Sequence, residues 1–221
     1  MGSTGCGKAM RVDMEWVRRA FRGGTGDGVE GASEGTATGG AFAPPEGRHA
    51  VVAAILRDSP EGAEVLLIRR AEHELDPWSG HMALPGGHGD TADASLIATA
   101  VREISEEVGL DLLAHAELLG PLPQLVAAPA KLTIFPLVFA LSAGHEPQAN
   151  PSEVAEVVWA TLEHLRSPLA TSSYELLVRE QRHRYPAFDV RGRIVWGLTY
   201  RILGNRLITL EPPSGPQAVE P

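Results

Sequence analysis

The chain has 221 residues, 43% of them hydrophobic, which suits one domain with a sizeable core plus extra segments. Its formal net charge of −9, with no basic stripe, excludes a broad nucleic-acid-binding surface. One cysteine, Cys6, excludes a disulfide framework, and without a secretory signal or a membrane-length apolar run the sequence predicts a cytoplasmic protein.

Residues 1–48 are predicted to be a flexible, Gly-rich N-terminal extension. They include a short possible helix, Asp13–Phe21, and a Gly/Ala/Thr/Ser-rich stretch over residues 22–47. That stretch has few large apolar side chains and cannot offset the entropy lost on ordering, so we expect it to be flexible. Residues 2–8 fit the pattern G-x-x-x-x-G-K. A phosphate-binding loop of that type needs a preceding strand and a following Ser or Thr, and Ala9 stands there instead.

From residue 49 short apolar runs alternate with turn signals, which is typical of a globular domain. The predicted strands are Ala50–Leu56, Val65–Ile68, Glu117–Val126, Leu132–Leu141 and Glu156–Trp159. The predicted helices are Asp93–Val108, Leu162–Leu165 and Ser172–His183, and Val190–Tyr200 is expected to start as a strand and become a final helix ending at Gly204. Mixed strands and helices around a βαβ-like core indicate an α/β domain. We place it at residues 49–210, followed by a tail at 211–221.

One loop and the helix after it concentrate glycine and charge. The loop is Leu84-Pro-Gly-Gly-His-Gly-Asp-Thr-Ala-Asp93, and the helix ends with Arg102-Glu-Ile-Ser-Glu-Glu-Val-Gly-Leu110. Glu103, Glu106 and Glu107 are three and four residues apart, so they share one helix face. Carboxylates that face one point repel each other unless a cation lies between them, and Mg²⁺ takes such oxygen ligands. The motif predicts a metal platform for phosphate chemistry, while a solvated acidic helix face is the alternative.

These residues resemble the Nudix box, G-x5-E-x7-R-E-U-x-E-E-x-G-U, in which U is a bulky aliphatic residue. Residues 102–110 match it at every defined position. The first half departs, because Ala94 stands at the expected Glu position and His88 at the expected Gly position. Asp93 and the Gly86-Gly87 pair are displaced by one place, which a single extra residue before Arg102 would explain.

Three stretches are similar to one branch of this family, the coenzyme A pyrophosphatases. They are the spacing G-G-x-x-D-x-x-D-A-S over residues 86–95, the run Leu66-Leu-Ile-Arg-Arg70 with its following Gly80, and Ile194-Val-Trp-Gly-Leu-Thr-Tyr-Arg-Ile-Leu203. The chain departs from that branch at several signature positions. Ile68, Ala71 and Leu84 replace Thr, Ser and Phe, and Leu75 and Asp76 stand where an Arg is expected.

The resemblance implies an α/β/α sandwich around a mixed β-sheet, with a catalytic loop-helix-loop at one edge. It further implies a pyrophosphohydrolase dependent on Mg²⁺ or Mn²⁺, with coenzyme A or acyl-coenzyme A cleaved to 3′,5′-ADP and 4′-phosphopantetheine. ADP-ribose or another nucleoside diphosphate derivative is the alternative substrate. A non-catalytic Nudix-fold sensor is the alternative of another class, although such proteins usually lose box carboxylates. The partner implied is a small molecule, and dimers are common among relatives.

The resemblance also implies roles for individual residues. Glu103, Glu106 and Glu107 would bind the metal together with the backbone carbonyl of the glycine pair, Gly86 or Gly87. Arg102 would orient the catalytic glutamates. Since Arg102 and Glu106 are i,i+4 neighbours, an ordinary surface ion pair remains the alternative for that arginine.

Residues outside the box complete the predicted site. One of Arg69 and Arg70 should face the site and reach a phosphate of the substrate, because neighbouring strand residues face opposite sides. The resemblance favours Arg70, which aligns with the signature Arg of the family, while an exposed charge at the strand end is the alternative. Glu153 or Glu156 would supply a further base or ligand. Asp93 would either replace the first Glu of the box or cap the helix. Loop residues His81, His88 and Trp78 are interpreted as structural, with stacking on a base as the alternative for Trp78, and Asp90 is a further loop acid.

Overall fold

A computed structural model describes residues 12–23, 42–74, 76–127, 130–178 and 180–209. The predictions for residues 2–8, for Cys6, for most of the Gly-rich stretch, for Leu75 and for the tail at 211–221 lie outside these ranges. Within them, no helix is both long enough and apolar enough to cross a membrane.

The described chain alternates strands with short helices. The helices are α1 (Met14–Gly23), α2 (Leu96–Val108), α3 (Leu112–His115), α4 (Leu162–Arg166) and α5 (Gly197–Ile202), with a 3₁₀ turn at Pro168–Ala170 and a π turn at Leu203–Leu207. The strands are β1 (His49–Ser59), β2 (Gly62–Arg70), β3 (Met82–Ala83), β4 (Gly86–His88), β5 (Ala116–Pro121), β6 (Leu125–Ala127), β7 (Leu132–Leu141), β8 (Val154–Thr161), β9 (Thr171–Val178), β10 (Gln181–Val190) and β11 (Arg193–Trp196).

Eight strands form a mixed sheet around the parallel pair β1 and β7. The order is β3-β2-β1-β7-β5, while β4 pairs with β1, β6 with β7 and β8 with β2. Alternate residues of β1 enter different cores: Val51 and Ile55 lie on one side, and Ala54 and Leu56 on the other. A strand buried on both faces is apolar throughout, which explains the continuous apolar run of β1.

Helices cover both faces of this sheet, so the predicted α/β/α sandwich is confirmed. On one face α2 packs through Leu96, Ala100, Ile104 and Val108. On the other face α1, α4 and α5 pack against the sheet. Helix α2, which carries the acidic motif, therefore has its apolar stripe fixed in the core, while its charged residues lie on its other side.

The helix predicted for Ser172–His183 is wrong. Strands β9 and β10 form an antiparallel hairpin there, and β11 adds a third strand. Tyr174 lies directly opposite Tyr185 in this register. Cross-strand aromatic pairs stabilise a sheet, and this local pairing outweighs the helix propensity of Glu and Leu in the segment.

The first helix packs within the folded unit, ahead of the boundary predicted at residue 49. The helix predicted for Asp13–Phe21 is present as α1, and Trp16 and Val17 are buried in the core. The backbone N–H of Ala63 donates to the carbonyl of Val12 at 2.8 Å, which ties this segment to β2. The folded unit therefore includes residues 12–23.

Two further boundaries differ from the sequence prediction. The single strand predicted for Glu117–Val126 is divided into β5 and β6, because the register shifts between Leu118 and Gly120 and prolines flank Leu122. Helix α2 begins at Leu96, and Ser95 caps it by accepting the N–H of Ala98. The alternative that Asp93 caps this helix is thus wrong.

Candidate active site

The charged helix α2 is fixed at both ends. Ser95 caps its start, and Gly109 ends it in the left-handed conformation with φ of 63°, where a residue with a Cβ is disfavoured. Ile104 and Val108 are fully buried beneath it. Because its apolar side is held this firmly, the helix presents its acidic side to strand β4 in a fixed orientation.

The glycine pair allows β4 to approach both β1 and α2 closely. Gly86 has a φ of +135°, and a Cβ there would overlap the backbone of Val51. A Cβ on Gly87 would lie 2.5 Å from the carboxyl carbon of Glu103. Larger residues at either position would displace a strand or a carboxylate, so the loop requires glycine for close approach.

Glu107 is the most deeply buried of the three helix carboxylates. It is 4% exposed, and its Oε2 accepts the backbone N–H of Gly86 at 2.7 Å. Burial raises the pKa of Glu107 to about 7, and the nearby negative charges of Glu103 and Glu153 act in the same direction. The Gly86 N–H and the charge of Arg70 oppose this shift without cancelling it. An ionised Glu107 therefore lacks full compensation from the protein.

Arg102 connects the loop to the helix. Its Nη2 donates to Asp93 and to the carbonyl of His88, both at 2.9 Å, while Nη1 donates to Glu103 at 2.9 Å and to Glu106 at 3.3 Å. The hydrogen bond from Arg102 holds the pKa of Asp93 well below its usual range, with Thr99 and the backbone of Asp90 adding to it. Arg102 thus makes more than the single i,i+4 pair of the alternative interpretation.

A second loop brings Glu153 to this group. Asn150 donates from Nδ2 to the carbonyl of Glu106 at 3.1 Å and to Oε1 of Glu153 at 3.2 Å, and its backbone N–H donates to the backbone carbonyl of Glu107 at 2.9 Å. Burial raises the pKa of Glu103 despite Arg102, and the charges of Glu106 and Glu153 raise it further. Four carboxylates, those of Glu103, Glu106, Glu107 and Glu153, therefore form one electrostatic group.

The chemistry of these donors fits a hard divalent cation. Mg²⁺ and Mn²⁺ prefer oxygen ligands, and the raised pKa values of Glu103 and Glu107 indicate negative charge that the protein leaves partly uncompensated. Across the described part of the chain, no three acidic or histidine side chains already surround a single point. Arg102 holds the carboxylates of Glu103 and Glu106, and the Gly86 N–H holds the carboxylate of Glu107. These separate hydrogen bonds explain why the three carboxylates do not meet at one point.

The two arginines at the end of β2 have different partners. Arg70 donates to Oδ2 of Asp76 at 2.6 Å from Nη2, and its charge influences Glu107. Arg69 instead lies 3.5 Å from Glu156. Arg70 therefore lies on the side of the carboxylate group, whereas Arg69 does not share its environment.

Glu156, proposed from the sequence as an alternative to Glu153, has another role. It forms ion pairs with Arg193 and Arg69. The hydrogen bond from Arg193 lowers the pKa of Glu156, which makes it a poor proton acceptor. A partner 37 residues away in the sequence could not be identified from local spacing.

Sequence reasoning missed three residues that support the site, namely Asn150, Asp76 and Trp196. Asn150 precedes Pro151, and an Asn before Pro is a turn signal that could have drawn attention to this loop. Asp76 was noted as a departure from a signature, and it now provides the partner of Arg70. His81 contacts Tyr174 and Trp196, and burial lowers its pKa, in keeping with a structural role.

Comparison with known proteins is consistent with this geometry. A family model described as NUDIX domain matches residues 47–180. An uncharacterised Nudix hydrolase, NudL, of Photorhabdus laumondii is 35% identical over 159 residues, which cover 71% of this chain and 81% of that protein. NudL of Pectobacterium atrosepticum is 32% identical over 138 residues, which cover 62% of this chain and 71% of its own. The solved structure of RenU, a Nudix hydrolase from M. Smegmatis, aligns over 53% of this chain and 73% of its own with 22% identity and a TM-score of 0.45.

Proposed function

Because the chain belongs to the Nudix family and is an enzyme that acts on pyrophosphate bonds, we propose that it hydrolyses coenzyme A or acyl-coenzyme A. Water would attack one phosphorus of the diphosphate, and the other phosphate would leave. The products would be 3′,5′-ADP and 4′-phosphopantetheine. The observation that carries the hydrolytic part is the carboxylate group of Glu103, Glu106, Glu107 and Glu153, which Arg102 and Asn150 connect.

Nudix hydrolases use divalent metal ions such as Mg²⁺ or Mn²⁺. A bound ion supplies positive charge against the phosphates during attack. We propose that Glu103, Glu106, Glu107 and the carbonyl of Gly86 or Gly87 hold it, with Mg²⁺ as the first choice. Arg102 then acts as a positioning residue, since its guanidinium already fixes the carboxylates of Glu103 and Glu106.

Glu153 is the residue that we propose as the proton acceptor for water. Its side chain belongs to the same electrostatic group as Glu103 and Glu107. In contrast to Glu156, Glu153 has no arginine among its hydrogen-bond partners in the described chain, where Asn150 is its donor. An amide donor carries no positive charge that would repel an incoming proton, whereas a guanidinium does.

Two features support coenzyme A among the nucleoside diphosphate derivatives. The stretches at residues 66–70 and 194–203, which resemble the coenzyme A pyrophosphatases, both contact the loop after β2. Arg70 bonds Asp76 of this loop, and Trp196 packs against its Trp78. Arg70 offers positive charge near the carboxylate group, where the 3′-phosphate that distinguishes coenzyme A from ADP-ribose could bind.

The pairing of Arg70 with Asp76 favours a second candidate, ADP-ribose. A guanidinium engaged by a carboxylate at 2.6 Å has less charge to offer a phosphate. Burial acts to raise the pKa of Asp76, but the hydrogen bonds from Arg70 and from the Trp78 N–H, together with the charge of Arg70, lower it overall, so the pair stays ionised. A substrate without the 3′-phosphate does not need to displace Asp76.

The test is hydrolysis of coenzyme A, dephospho-coenzyme A and ADP-ribose with Mg²⁺ or Mn²⁺, with products identified by mass spectrometry and an EDTA control. Strong preference for coenzyme A with release of 4′-phosphopantetheine supports the proposal, whereas preference for ADP-ribose overturns the substrate assignment. Arg70→Ala should raise KM for coenzyme A more than for dephospho-coenzyme A. Arg69→Ala is the matched control, because Arg69 pairs with Glu156 away from the carboxylates.

A further inference from the structure

Five aromatic side chains form a cluster between the loop after β2 and the three-stranded sheet of β9, β10 and β11. This aromatic cluster consists of Trp78, His81, Tyr174, Tyr185 and Trp196. Trp196 is its centre: Tyr174 stacks on it with ring centroids 4.1 Å apart, and Tyr185 and Trp78 lie 5.6 and 6.0 Å away. Such spacings are those of favourable aromatic pairs.

The cluster is open on one side. Trp196 is 9% exposed, whereas Trp78 is 55% exposed and Tyr185 37%. An exposed indole next to other rings leaves a flat apolar surface in contact with water, and stacking of a further planar ring would cover it. The buried members fix the geometry, and the two exposed members leave ring surface available.

The cluster is joined to the candidate active site through Asp76. The backbone N–H of Trp78 donates to Oδ1 of Asp76 at 2.9 Å, and Oδ2 of the same carboxylate accepts Arg70. The backbone N–H of Arg70 also donates to the carbonyl of His81 at 3.0 Å. Arg70 is thus linked to the aromatic cluster through Asp76, and its positive charge also acts on Glu107 of the carboxylate group.

We propose that the aromatic cluster binds the nucleobase of the substrate, which stacks on Trp78 and Tyr185. This inference rests on the proposed function, because a nucleoside diphosphate derivative places a planar base a short distance from its phosphates. The order of carboxylates, Arg70 and aromatic rings matches that of reacting diphosphate, further phosphate and base. Every base can stack on aromatic rings. The cluster therefore strengthens binding of a nucleoside without selecting which base it carries.

The test uses Trp78→Ala, Trp78→Phe and Leu177→Ala in the full chain. Leu177 is the matched control. It is 66% exposed, and it lies on the opposite face of β9 from Tyr174. Binding of AMP and of ribose 5-phosphate is measured by calorimetry without metal, so the result does not depend on turnover. Denaturant unfolding of each variant identifies any loss of folding.

We expect Trp78→Ala to weaken AMP binding about tenfold and to leave ribose 5-phosphate binding unchanged. Trp78→Phe should retain most of the AMP affinity, and Leu177→Ala should retain all of it. In turnover, KM for the nucleoside substrate should rise while kcat changes little.

Two results would overturn the inference. One is a wild-type protein that binds AMP no better than ribose 5-phosphate, and the other is equal loss of AMP affinity in Trp78→Ala and Leu177→Ala. Neither result depends on hydrolysis of coenzyme A. Failure of base binding with active hydrolysis would leave the proposed function in place, whereas base binding without hydrolysis would contradict the proposed function alone.

Discussion

At the scale of single residues, the candidate site is a balance between buried negative charge and one guanidinium. Arg102 is shared by Asp93, Glu103 and Glu106, and its own pKa is raised by Asp93 foremost and then by Glu103. In the described part of the chain, the Glu107 carboxylate accepts one hydrogen bond, from the Gly86 N–H. The negative charge of Glu107 is therefore only partly compensated, whereas the positive charge of Arg102 is well compensated. Removal of the charge should stabilise the metal-free protein at Glu107 and destabilise it at Arg102.

Glu107→Gln should stabilise the metal-free protein above neutral pH while abolishing turnover. The folded-state pKa of Glu107 is raised from 4.5 to about 7, so the folded state keeps a proton that the unfolded state has released. This contribution to stability is present at low pH and is lost as pH rises through about 7. Glutamine retains an acceptor for Gly86 without the charge, and we expect a gain of ~2 kcal/mol, or ~4–8 °C in Tm, at pH 8.

Thermal unfolding at pH 5 and pH 8 in EDTA measures this effect. The variant and the wild type should unfold at nearly the same temperature at pH 5, and added Mg²⁺ should raise Tm of the wild type more than Tm of the variant. A variant less stable than the wild type at pH 8 would contradict the buried, uncompensated charge assigned to Glu107.

Gly87→Ala should reduce turnover about a hundredfold with little loss of stability. The new methyl group would lie 2.5 Å from the Glu103 carboxyl carbon, and that flexible side chain would move aside. A displacement near 1 Å in a catalytic group costs on the order of 10²-fold in rate. Values of kcat and Tm check this, and in a Glu103→Ala background the same substitution should have no further effect. Additive losses in the double variant would refute steric displacement of Glu103.

At the scale of elements, α2 and its capping explain what the sequence could and could not reveal. The charged residues of α2 follow local spacing, so Glu103, Glu106 and Glu107 were assigned to one helix face from the sequence, and the helix is present. The roles of Asp93 and Glu156 depend on Arg102 and Arg193, which tertiary folding brings to them. The β9–β10 hairpin was mistaken for a helix for the same reason, since its stability comes from cross-strand pairs that propensity does not include.

Ser95→Ala and Asp93→Asn should separate helix capping from site assembly. Ser95 accepts the N–H of Ala98 at 3.1 Å, and loss of such a cap costs about 1 kcal/mol without changing kcat. Asp93→Asn removes the charge opposite Arg102, so we expect kcat to fall at least tenfold. Urea unfolding and steady-state kinetics of both variants measure the two effects. An unchanged kcat in Asp93→Asn would show that Arg102 holds the carboxylates without this partner.

At the scale of the whole molecule, one sheet separates two hydrophobic cores that are covered by different helices. The core beneath α2 holds the carboxylate-bearing helix, while the opposite core is closed by α1, α4 and α5. The segment before β1 was taken from its composition as an extension, yet its helix supplies buried side chains to the second core. Composition described the Gly-rich stretch, but it could not indicate where a ten-residue amphipathic helix docks.

A chain that begins at Glu46 should therefore fail to fold stably, although it retains every residue of the candidate site. Removal of α1 strips several buried side chains from the core, among them Trp16 and Val17, at roughly 1.5–3 kcal/mol each. Their sum approaches the 5–15 kcal/mol that typically separates folded from unfolded states.

Circular dichroism melting of the truncated chain, beside Val17→Ala and the half-buried control Arg18→Ala, measures this dependence. Val17→Ala should cost ~2 kcal/mol and Arg18→Ala less than ~1 kcal/mol, since its partner Glu117 is exposed. A truncated chain that melts with the full-length protein would restrict the folded unit to residues after 46 and return α1 to the extension.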